Sequence, residues 1–443
     1  MTTPICDFVS EYAKKNIIRL HMPGHKGMNL LGIEHIDLTE IDGADSLYEA
    51  EGIIAESEAN ATRLFECDTF YSTEGSSQCI RAMLYLACVN GGKNGEKPLI
   101  FAGRNAHKTF LSAAALIDFD IEWLYGEEDQ SYLSCKITSE QLEKKLQQAK
   151  TKPVAVYITS PDYLGNVADI KALAQVCHRY DVMLLVDNAH GAYLKFLSQS
   201  MHPIDLGADM CCDSAHKTLP VLTGGAYLHV SKNMADRTII KNALAMFGST
   251  SPSYIILQSL DKANQYIDDG YEGKLEQLCI KVQKIKDTLL QKGFELIGDE
   301  KIKITISTKS YGYTGKELDK ILADKNIVCE FSDPDFIVFM FAVGLSDKQL
   351  EYFTEVICNI PKKTAIDDNM PEFFVGQKAM TVRQAAFSEC ENIPVEKAEG
   401  RILATATVGC PPAVPIVVCG EMINEQAIKS FNYYGIESCC VIK

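Results

Sequence analysis

Two predicted strand ends carry the residues with the most reactive chemistry. Asp187 follows Val182-Met183-Leu184-Leu185-Val186, the most apolar predicted strand, where a carboxylate needs a cationic partner because water is scarce. Lys217 follows thirty residues later, after an apolar run that ends at Cys212. Burial lowers the pKa of a lysine and makes its amine nucleophilic toward aldehydes. The pair offers a carboxylate for a heterocyclic cation and an amine for an aldehyde.

Two further polar clusters could complete a ligand site. Gly75, Ser76 and Ser77 precede an apolar helical pattern, and such a turn presents backbone N–H groups and hydroxyls to a phosphate. His107 lies in a polar cluster after another predicted strand, where its ring could lie flat against an aromatic cofactor. Open α/β sheets bind ligands at the carboxyl ends of their strands, which is where these clusters are predicted to lie.

Each cluster also has an ordinary structural explanation. Asp187 could cap a helix, Lys217 could lie on the surface, Ser76 could be an N-cap, and His107 could be a structural histidine. In combination they meet the needs of pyridoxal 5'-phosphate (PLP), which are an anion hole, a flat partner for the ring, a carboxylate for the ring nitrogen and a lysine for the aldehyde. The sequence therefore predicts PLP as the cofactor.

The elements that position these clusters alternate between short apolar strands and amphipathic helices. This alternation predicts an α/β fold with a mostly parallel sheet covered on both faces. Glycines and a proline predict an irregular course for residues 1–50, and Ser139 is the expected N-cap of a helix over residues 138–150. The other predicted helices cover residues 52–66, 107–116, 170–180, 284–292, 317–323, 350–357 and 381–386, and the other predicted strands cover residues 98–102, 121–125, 154–158, 227–230, 303–307, 327–331 and 336–341.

The same pattern predicts the division into domains. We expect an N-terminal arm over residues 1–50 and a PLP-binding large domain over residues 51–280. A smaller α/β domain follows over residues 281–362, and a C-terminal domain over residues 370–443 comes after a polar linker.

Composition and charge exclude several classes of protein. The chain has 443 residues with 43 basic and 59 acidic side chains, and its net charge of −16 disfavours nucleic acids and anionic membranes as partners. Its 16 cysteines form no CxxC motif, no His/Cys spacing predicts a metal site, and no GxGxxG follows a predicted strand. With neither a secretory signal nor an apolar run of membrane-spanning length, we expect a cytoplasmic protein with reduced thiols.

With these clusters in place, the chain resembles the ornithine/lysine/arginine decarboxylase family of fold-type I PLP enzymes. The stretch Ser214-Ala215-His216-Lys217-Thr218-Leu219-Pro220 is specific to that family, and the other matching stretches follow in family order. They are His21-Met22-Pro23-Gly24-His25-Lys26-Gly27, Asp37-Leu38-Thr39-Glu40, Arg104-Asn105-Ala106-His107-Lys108, Thr159-Ser160-Pro161, Val186-Asp187-Asn188-Ala189-His190-Gly191, Thr250-Ser251-Pro252-Ser253-Tyr254 and Ala398-Glu399-Gly400-Arg401-Ile402.

The resemblance implies a role for each residue of the site. Lys217 would form the internal aldimine, Asp187 would pair with the pyridinium nitrogen, and Lys217 or His216 would protonate the substrate carbon after CO2 leaves. His107 would stack on one face of the ring. The remaining cofactor-binding residues would be Gly75, Ser76, Ser77, Ala189, His190, Ser214 and His216.

The implied function is decarboxylation of lysine, arginine or ornithine to the corresponding amine. The family works as homodimers or assemblies of dimers with shared sites, so residues 250–254 would reach the neighbouring cofactor. Two alternatives stay open at this point. One is a different fold-type I reaction, such as aminotransfer or another lyase reaction, and the other is a catalytically quiet homologue that binds PLP.

The sequence departs from the family pattern around the catalytic core. Glu74 stands where the residue before the phosphate-turn glycine is usually Asn, and Asn188 replaces a usual Glu. The tail motifs differ as well, reading Cys410-Pro411-Pro412-Ala413-Val414-Pro415 and Cys419-Gly420-Glu421. A carboxylate beside a phosphate is unfavourable, so we expect Glu74 to point away from the phosphate or to weaken cofactor binding.

Overall fold

The structure is a computed structural model that describes residues 1–91, 97–126, 131–232, 234–368, 370–405 and 414–443. The tail residues Cys410 to Ala413 of the altered motif lie outside the described residues. The strands are β1 Asp68–Ser72, β2 Leu99–Gly103, β3 Asp120–Leu124, β4 Ala155–Thr159, β5 Met183–Asp187, β6 Met210–Asp213, β7 Ala226–Val230, β8 Glu295–Ile297, β9 Lys303–Ser307, β10 Phe331–Ser332, β11 Phe336–Met340, β12 Gln377–Lys378, β13 Cys390–Pro394, β14 Glu421–Met422 and β15 Ser438–Ile442.

The helices alternate with these strands. They are α1 Pro4–Lys14, α2 Ile53–Phe65, α3 Ser76–Gly91, α4 Lys108–Ile117, α5 Ser139–Gln148, α6 Ile170–Arg179, α7 Ala215–Thr218, α8 Arg237–Ala245, α9 Tyr254–Asp268, α10 Tyr271–Gln291, α11 Gly315–Ala323, α12 Asp347–Cys358, α13 Val382–Ala386 and α14 Glu425–Tyr433. Within these described residues, no helix is both long enough and apolar enough to cross a membrane.

The chain forms two compact units, each built from two separate segments. The first unit comprises Met1–Asn90 and Met183–Glu276. Its strands lie in the order β1-β7-β6-β5, with β5 parallel to β6 and β7 antiparallel to both of its neighbours. Strands β6 and β7 are buried along their whole length, as the apolar runs in the sequence predict.

The second unit comprises Gly91–Val182 and Gln277–Lys443. Strand β2 lies between β3 and β4 and is parallel to both. A separate antiparallel sheet has the order β10-β11-β9-β8, and two small sheets pair β12 with β14 and β13 with β15. Residues of the C-terminal segment, including Val395, Leu403 and Phe431, pack in one apolar core with Phe331 and Val338 of the antiparallel sheet.

Three local predictions are wrong. Residues 1–50 contain helix α1, because Pro4 occupies its first turn and Ile5, Val9 and Tyr12 are buried at helical spacing. Thr138 rather than Ser139 is the N-cap of α5, since Thr138 forms a capping box with Gln141.

The third error is the strand over residues 327–331, of which only Phe331 is extended in a sheet, within β10. The apolar residue Val328 suggests a buried strand, but this residue is 86% exposed. The division into four domains stays a prediction.

Candidate active site

The carboxyl ends of β5 and β6 bring the two most reactive candidates to one edge of the first unit. These strands are parallel, with Asp187 opposite Cys212, so the residues that follow each strand emerge on the same side. The Asp187 side chain is buried, with the residue 2% exposed. Its Oδ1 accepts hydrogen bonds from the backbone N–H of Ala189 at 3.1 Å and from Sγ of Cys212 at 3.6 Å.

Lys217 lies in the short helix that follows β6. The backbone N–H of Lys217 donates to the carbonyl of Ser214 at 2.9 Å, which closes this turn. The side chain of Lys217 is half-buried, and its Nζ lies 2.9 Å from Nε2 of His190. Two predicted site residues from different strand ends therefore meet.

The predicted phosphate turn begins α3. Gly75 has φ +68°, and a Cβ built there would meet no heavy atom of the described residues within 4 Å. Glycine is favoured by this left-handed backbone, and the adjacent space is open. Ser76 opens the helix, and the Oγ of Ser214 donates to its Oγ at 2.8 Å. Ser77 is half-buried in the same turn.

His216 is held by the backbone of one glycine. Its Nδ1–H donates to the carbonyl of Gly225 at 2.9 Å, and its backbone N–H donates to the same carbonyl at 3.2 Å. Burial lowers the pKa of His216, the hydrogen bond to the Gly225 carbonyl raises it by less, and the charge of Lys217 lowers it further. Neutral His216 therefore carries its proton on Nδ1, and its Nε2 is an acceptor.

His107 belongs to the second unit. It is the N-cap of α4, where its Nδ1 accepts from the backbone N–H of Thr109 at 3.2 Å. In the same motif, the buried Arg104 donates to the carbonyls of Pro415 and Ile416, each at 2.8 Å. The stacking role of His107 stays a prediction.

Glu74 and the segment over residues 250–254 are connected in the first unit. The exposed Glu74 accepts a hydrogen bond on Oε1 from the backbone N–H of Ser249 at 2.9 Å. Tyr254 is buried, and its hydroxyl donates to the carbonyl of Ala44 at 2.6 Å, so this side chain belongs to the core of its own unit. Thr250 and Ser251 are exposed.

Sequence reasoning missed a buried carboxylate beside the site. Asp213 is the last residue of β6 and is fully buried. Its Oδ1 accepts from Nδ2 of Asn188 at 2.6 Å, and its Oδ2 lies 3.2 Å from Nε2 of His202 and 3.1 Å from Nε2 of His229. The signal that singled out Asp187, an acid at the exit of a buried apolar strand, applies equally to Asp213.

The side chains of the first unit suit both the phosphate group and the protonated ring nitrogen of PLP. The open space at the Gly75 turn, with the hydroxyls of Ser76 and Ser214, suits a phosphate at the start of a sixteen-residue helix. Asp187 is a buried carboxylate whose Oδ1 accepts from one N–H and one thiol. Such an acid suits a protonated ring nitrogen, and Lys217 supplies an amine from the next strand end.

Comparison with known families gives two matches. The model of the Orn/Lys/Arg decarboxylase major domain matches residues 3–303, and that of the Orn/Lys/Arg decarboxylase C-terminal domain matches residues 364–437. The arginine decarboxylase of Bacillus subtilis is 29% identical over 464 residues, covering 96% of this chain and 92% of the relative. The arginine decarboxylase of Bacillus cereus is 30% identical over 467 residues, covering 97% and 99%.

Solved structures have the same fold. The lysine decarboxylase of Francisella novicida superposes with a TM-score of 0.81 at 17% identity, covering 100% of this chain and 81% of that one. The constitutive lysine decarboxylase of E. coli gives a TM-score of 0.78 at 18% identity, covering 100% and 82%. The predicted α/β fold of the fold-type I PLP enzymes is therefore confirmed.

Proposed function

The chain belongs to the ornithine/lysine/arginine decarboxylase family of PLP-dependent lyases, and from this premise we propose that it decarboxylates arginine at a site built around Lys217. Decarboxylase chemistry and PLP follow from family membership, as the sequence predicts. The choice of arginine is supported by relatives of that name, which match 96% and 97% of the chain. The lysine decarboxylases at 17% and 18% identity support the fold alone.

The observation that carries the proposal is the contact between Nζ of Lys217 and Nε2 of His190, which lie 2.9 Å apart. The same unit contains the contact between Ser76 and Ser214 and the buried Asp187. Ser76, Ser214 and the first backbone N–H groups of α3 would hold the phosphate, since the N–H of Gly75 itself donates to the carbonyl of Gly224 at 2.7 Å. When bound, PLP withdraws the electrons that decarboxylation leaves on the substrate carbon.

The side chains divide the remaining work. Asp187 keeps a proton on the ring nitrogen, because a buried carboxylate stabilises a nearby cation strongly. Lys217 would provide the amine for the cofactor aldehyde, and its Nζ would carry the proton that the substrate carbon receives. His190 holds the free Nζ of Lys217 through the contact at 2.9 Å.

The test is an assay of the purified protein with PLP and L-arginine, L-lysine or L-ornithine in separate reactions, with the amine product identified by mass spectrometry. We expect equimolar CO2 and agmatine from arginine, and a lower kcat/KM for the other two substrates. Keto-acid formation without CO2 would instead indicate aminotransfer. Absence of an amine from all three substrates would contradict the proposal.

We also propose that the chain acts as a homodimer. The segment over residues 17–33 exposes large apolar side chains, with Ile18 83%, Leu20 89% and Leu31 82% exposed. Clusters of exposed apolar side chains are typical of interaction surfaces. Sedimentation equilibrium should give twice the chain mass, and Leu20→Glu should weaken the association. Val328→Glu, at a site 86% exposed in the second unit, is the matched control and should leave it unchanged.

A further inference from the structure

Asp213 is a buried charge held by three donors. Both its oxygens are engaged, Oδ1 by the amide of Asn188 and Oδ2 by the imidazoles of His202 and His229. A carboxylate only accepts hydrogen bonds, so both imidazoles carry a proton on Nε2. Burial raises the pKa of Asp213, but the two histidines outweigh burial and leave that pKa below its ordinary value.

The position of Asp213 in the chain gives this charge two connections. Through the hydrogen bond at 2.6 Å it fixes Asn188, the residue that directly follows Asp187. The backbone N–H of Asn188 also donates to the carbonyl of Cys212 at 3.0 Å, so the two strand ends are tied by backbone and by side chain. On its other side Asp213 directly precedes Ser214, whose hydroxyl meets Ser76.

We propose that Asp213 is a positioning residue for the cofactor, tying the ring-nitrogen end at Asp187 to the phosphate end at Ser214. The inference rests on the proposed cofactor site. Asn188, one of the departures from the family pattern, contributes to this positioning. Its amide donates a hydrogen bond to Asp213, whereas a carboxylate at the same place would repel Asp213.

A metal site is the competing reading of the same residues. Nε2 of His202 lies 3.8 Å from Sγ of Cys211, and His202, Cys211 and Asp213 are close enough to share an ion. The hydrogen-bonded arrangement is favoured because Asp213 already accepts three donors.

The test compares full-length variants for PLP dissociation constant and for the absorption maximum of bound PLP. Asp213→Asn keeps the shape of the side chain but has one acceptor oxygen instead of two, so its NH2 group must face either the Asn188 amide or the N–H groups of the two histidines. We expect the PLP dissociation constant to rise about tenfold or more, since a hydrogen bond to a charged group is lost. The absorption maximum should also shift, because Asp187 is no longer held in place. Asp209→Asn is the matched control, since Asp209 precedes the opposite end of β6 and accepts from the backbone N–H of Leu184.

A double exchange separates positioning from a general loss of stability. Asn188→Asp alone sets two buried carboxylates against each other and should be the weakest binder of the set. Asn188→Asp combined with Asp213→Asn restores one amide–carboxylate hydrogen bond with its direction reversed, and the dissociation constant should recover to within about threefold of wild type. Circular dichroism below the melting temperature verifies that each variant is folded.

Three outcomes would overturn the inference. The first is a folded Asp213→Asn variant with the wild-type dissociation constant and spectrum, and the second is a double exchange that recovers nothing. The third is one equivalent of zinc in the purified protein that Cys211→Ala removes. A wild-type protein that binds no PLP would contradict the proposed function itself, whereas wild-type binding with an unaffected Asp213→Asn variant would contradict only this inference.

Discussion

Nζ of Lys217 lies 2.9 Å from Nε2 of His190, although 27 residues separate them in the chain. An ammonium group only donates hydrogen bonds, so with Lys217 protonated the imidazole nitrogen accepts and the ring proton lies on Nδ1. The contact orders a long side chain that would otherwise have several rotamers. In the proposed site His190 would therefore hold the amine in place without supplying a charge of its own.

Replacing Lys217 tests the centre of the site. Lys217→Ala should lower kcat by at least about 10²- to 10⁴-fold, because both the nucleophile and the proton donor are lost. It should also abolish the absorption of covalently bound cofactor. Lys232→Ala, at an exposed lysine of the same unit, is the matched control. Wild-type turnover in Lys217→Ala would show that another residue carries the chemistry.

Replacing Asp187 separates cofactor binding from catalysis. Asp187→Asn keeps an acceptor for the N–H of Ala189 but removes the charge that holds a proton on the ring nitrogen. We expect kcat to fall by about 10²- to 10³-fold, while the PLP dissociation constant changes much less. Cys212→Ala removes only the sulfur hydrogen bond to Asp187 and should retain most activity. Equal effects of the two substitutions on kcat would argue against a role for the charge.

The sequence predicts that Asp187 and Lys217 come at strand ends, because each lies at or shortly after the end of an apolar strand. Their catalytic roles stay a prediction. The contacts between Lys217 and His190 and between Ser76 and Ser214 could not be predicted, since they depend on which strands are neighbours. Asp213 ends a buried strand as Asp187 does, so the same signal could have singled it out. Its three hydrogen-bond partners could not be predicted, because no local pattern places Asn188, His202 and His229 around it.

Glu74 offers a substitution that should improve the protein. Its exposed carboxylate accepts from the N–H of Ser249 next to the proposed phosphate turn. Glu74→Gln retains an acceptor for this bond and removes a negative charge beside a phosphate. We expect PLP to bind about two- to fivefold more tightly at low salt, with the gain fading as salt screens the charge. Glu272→Gln, elsewhere in the first unit, should change nothing, and weaker binding of PLP to Glu74→Gln would contradict the electrostatic argument.

The buried histidines give folding stability a definite pH dependence. Burial lowers the pKa of both His216 and His229 from the ordinary value of 6.5, so the unfolded chain binds protons that the folded chain does not. Their contribution to stability is complete above pH 6.5 and is lost as the pH falls from there toward the folded pKa values. Asp333 opposes this loss over the same range, because burial raises its pKa to about 7. The effect of His216 is therefore measured as a difference: between pH 8 and about pH 5, the melting temperature of His216→Asn should fall less, or rise more, than that of the wild-type protein.

The exposed His178 provides the control for this measurement. His178→Asn removes an exposed imidazole outside the proposed site, so a change of slope that both substitutions share is not specific to His216. A slope in His216→Asn equal to that of the wild-type protein would show that His216 is no source of the linkage.

Replacing Arg104 tests how much its contacts stabilise the second unit around the motif that contains His107. Its guanidinium is buried, donates to the carbonyls of Pro415 and Ile416, and lies 5.5 Å from the centre of the Trp123 ring. Lysine cannot reproduce two parallel donors, so Arg104→Lys should lower the free energy of unfolding by about 3 kcal/mol. Trp123 is the only tryptophan of the chain, so urea unfolding followed by its fluorescence reports on this unit.

Arg383→Lys, at a partly exposed arginine that donates to the carbonyl of Ala115, should change the free energy of unfolding by no more than about 0.5 kcal/mol. Unfolding of Arg104→Lys at the wild-type urea concentration would mean that the two carbonyls contribute no net stability.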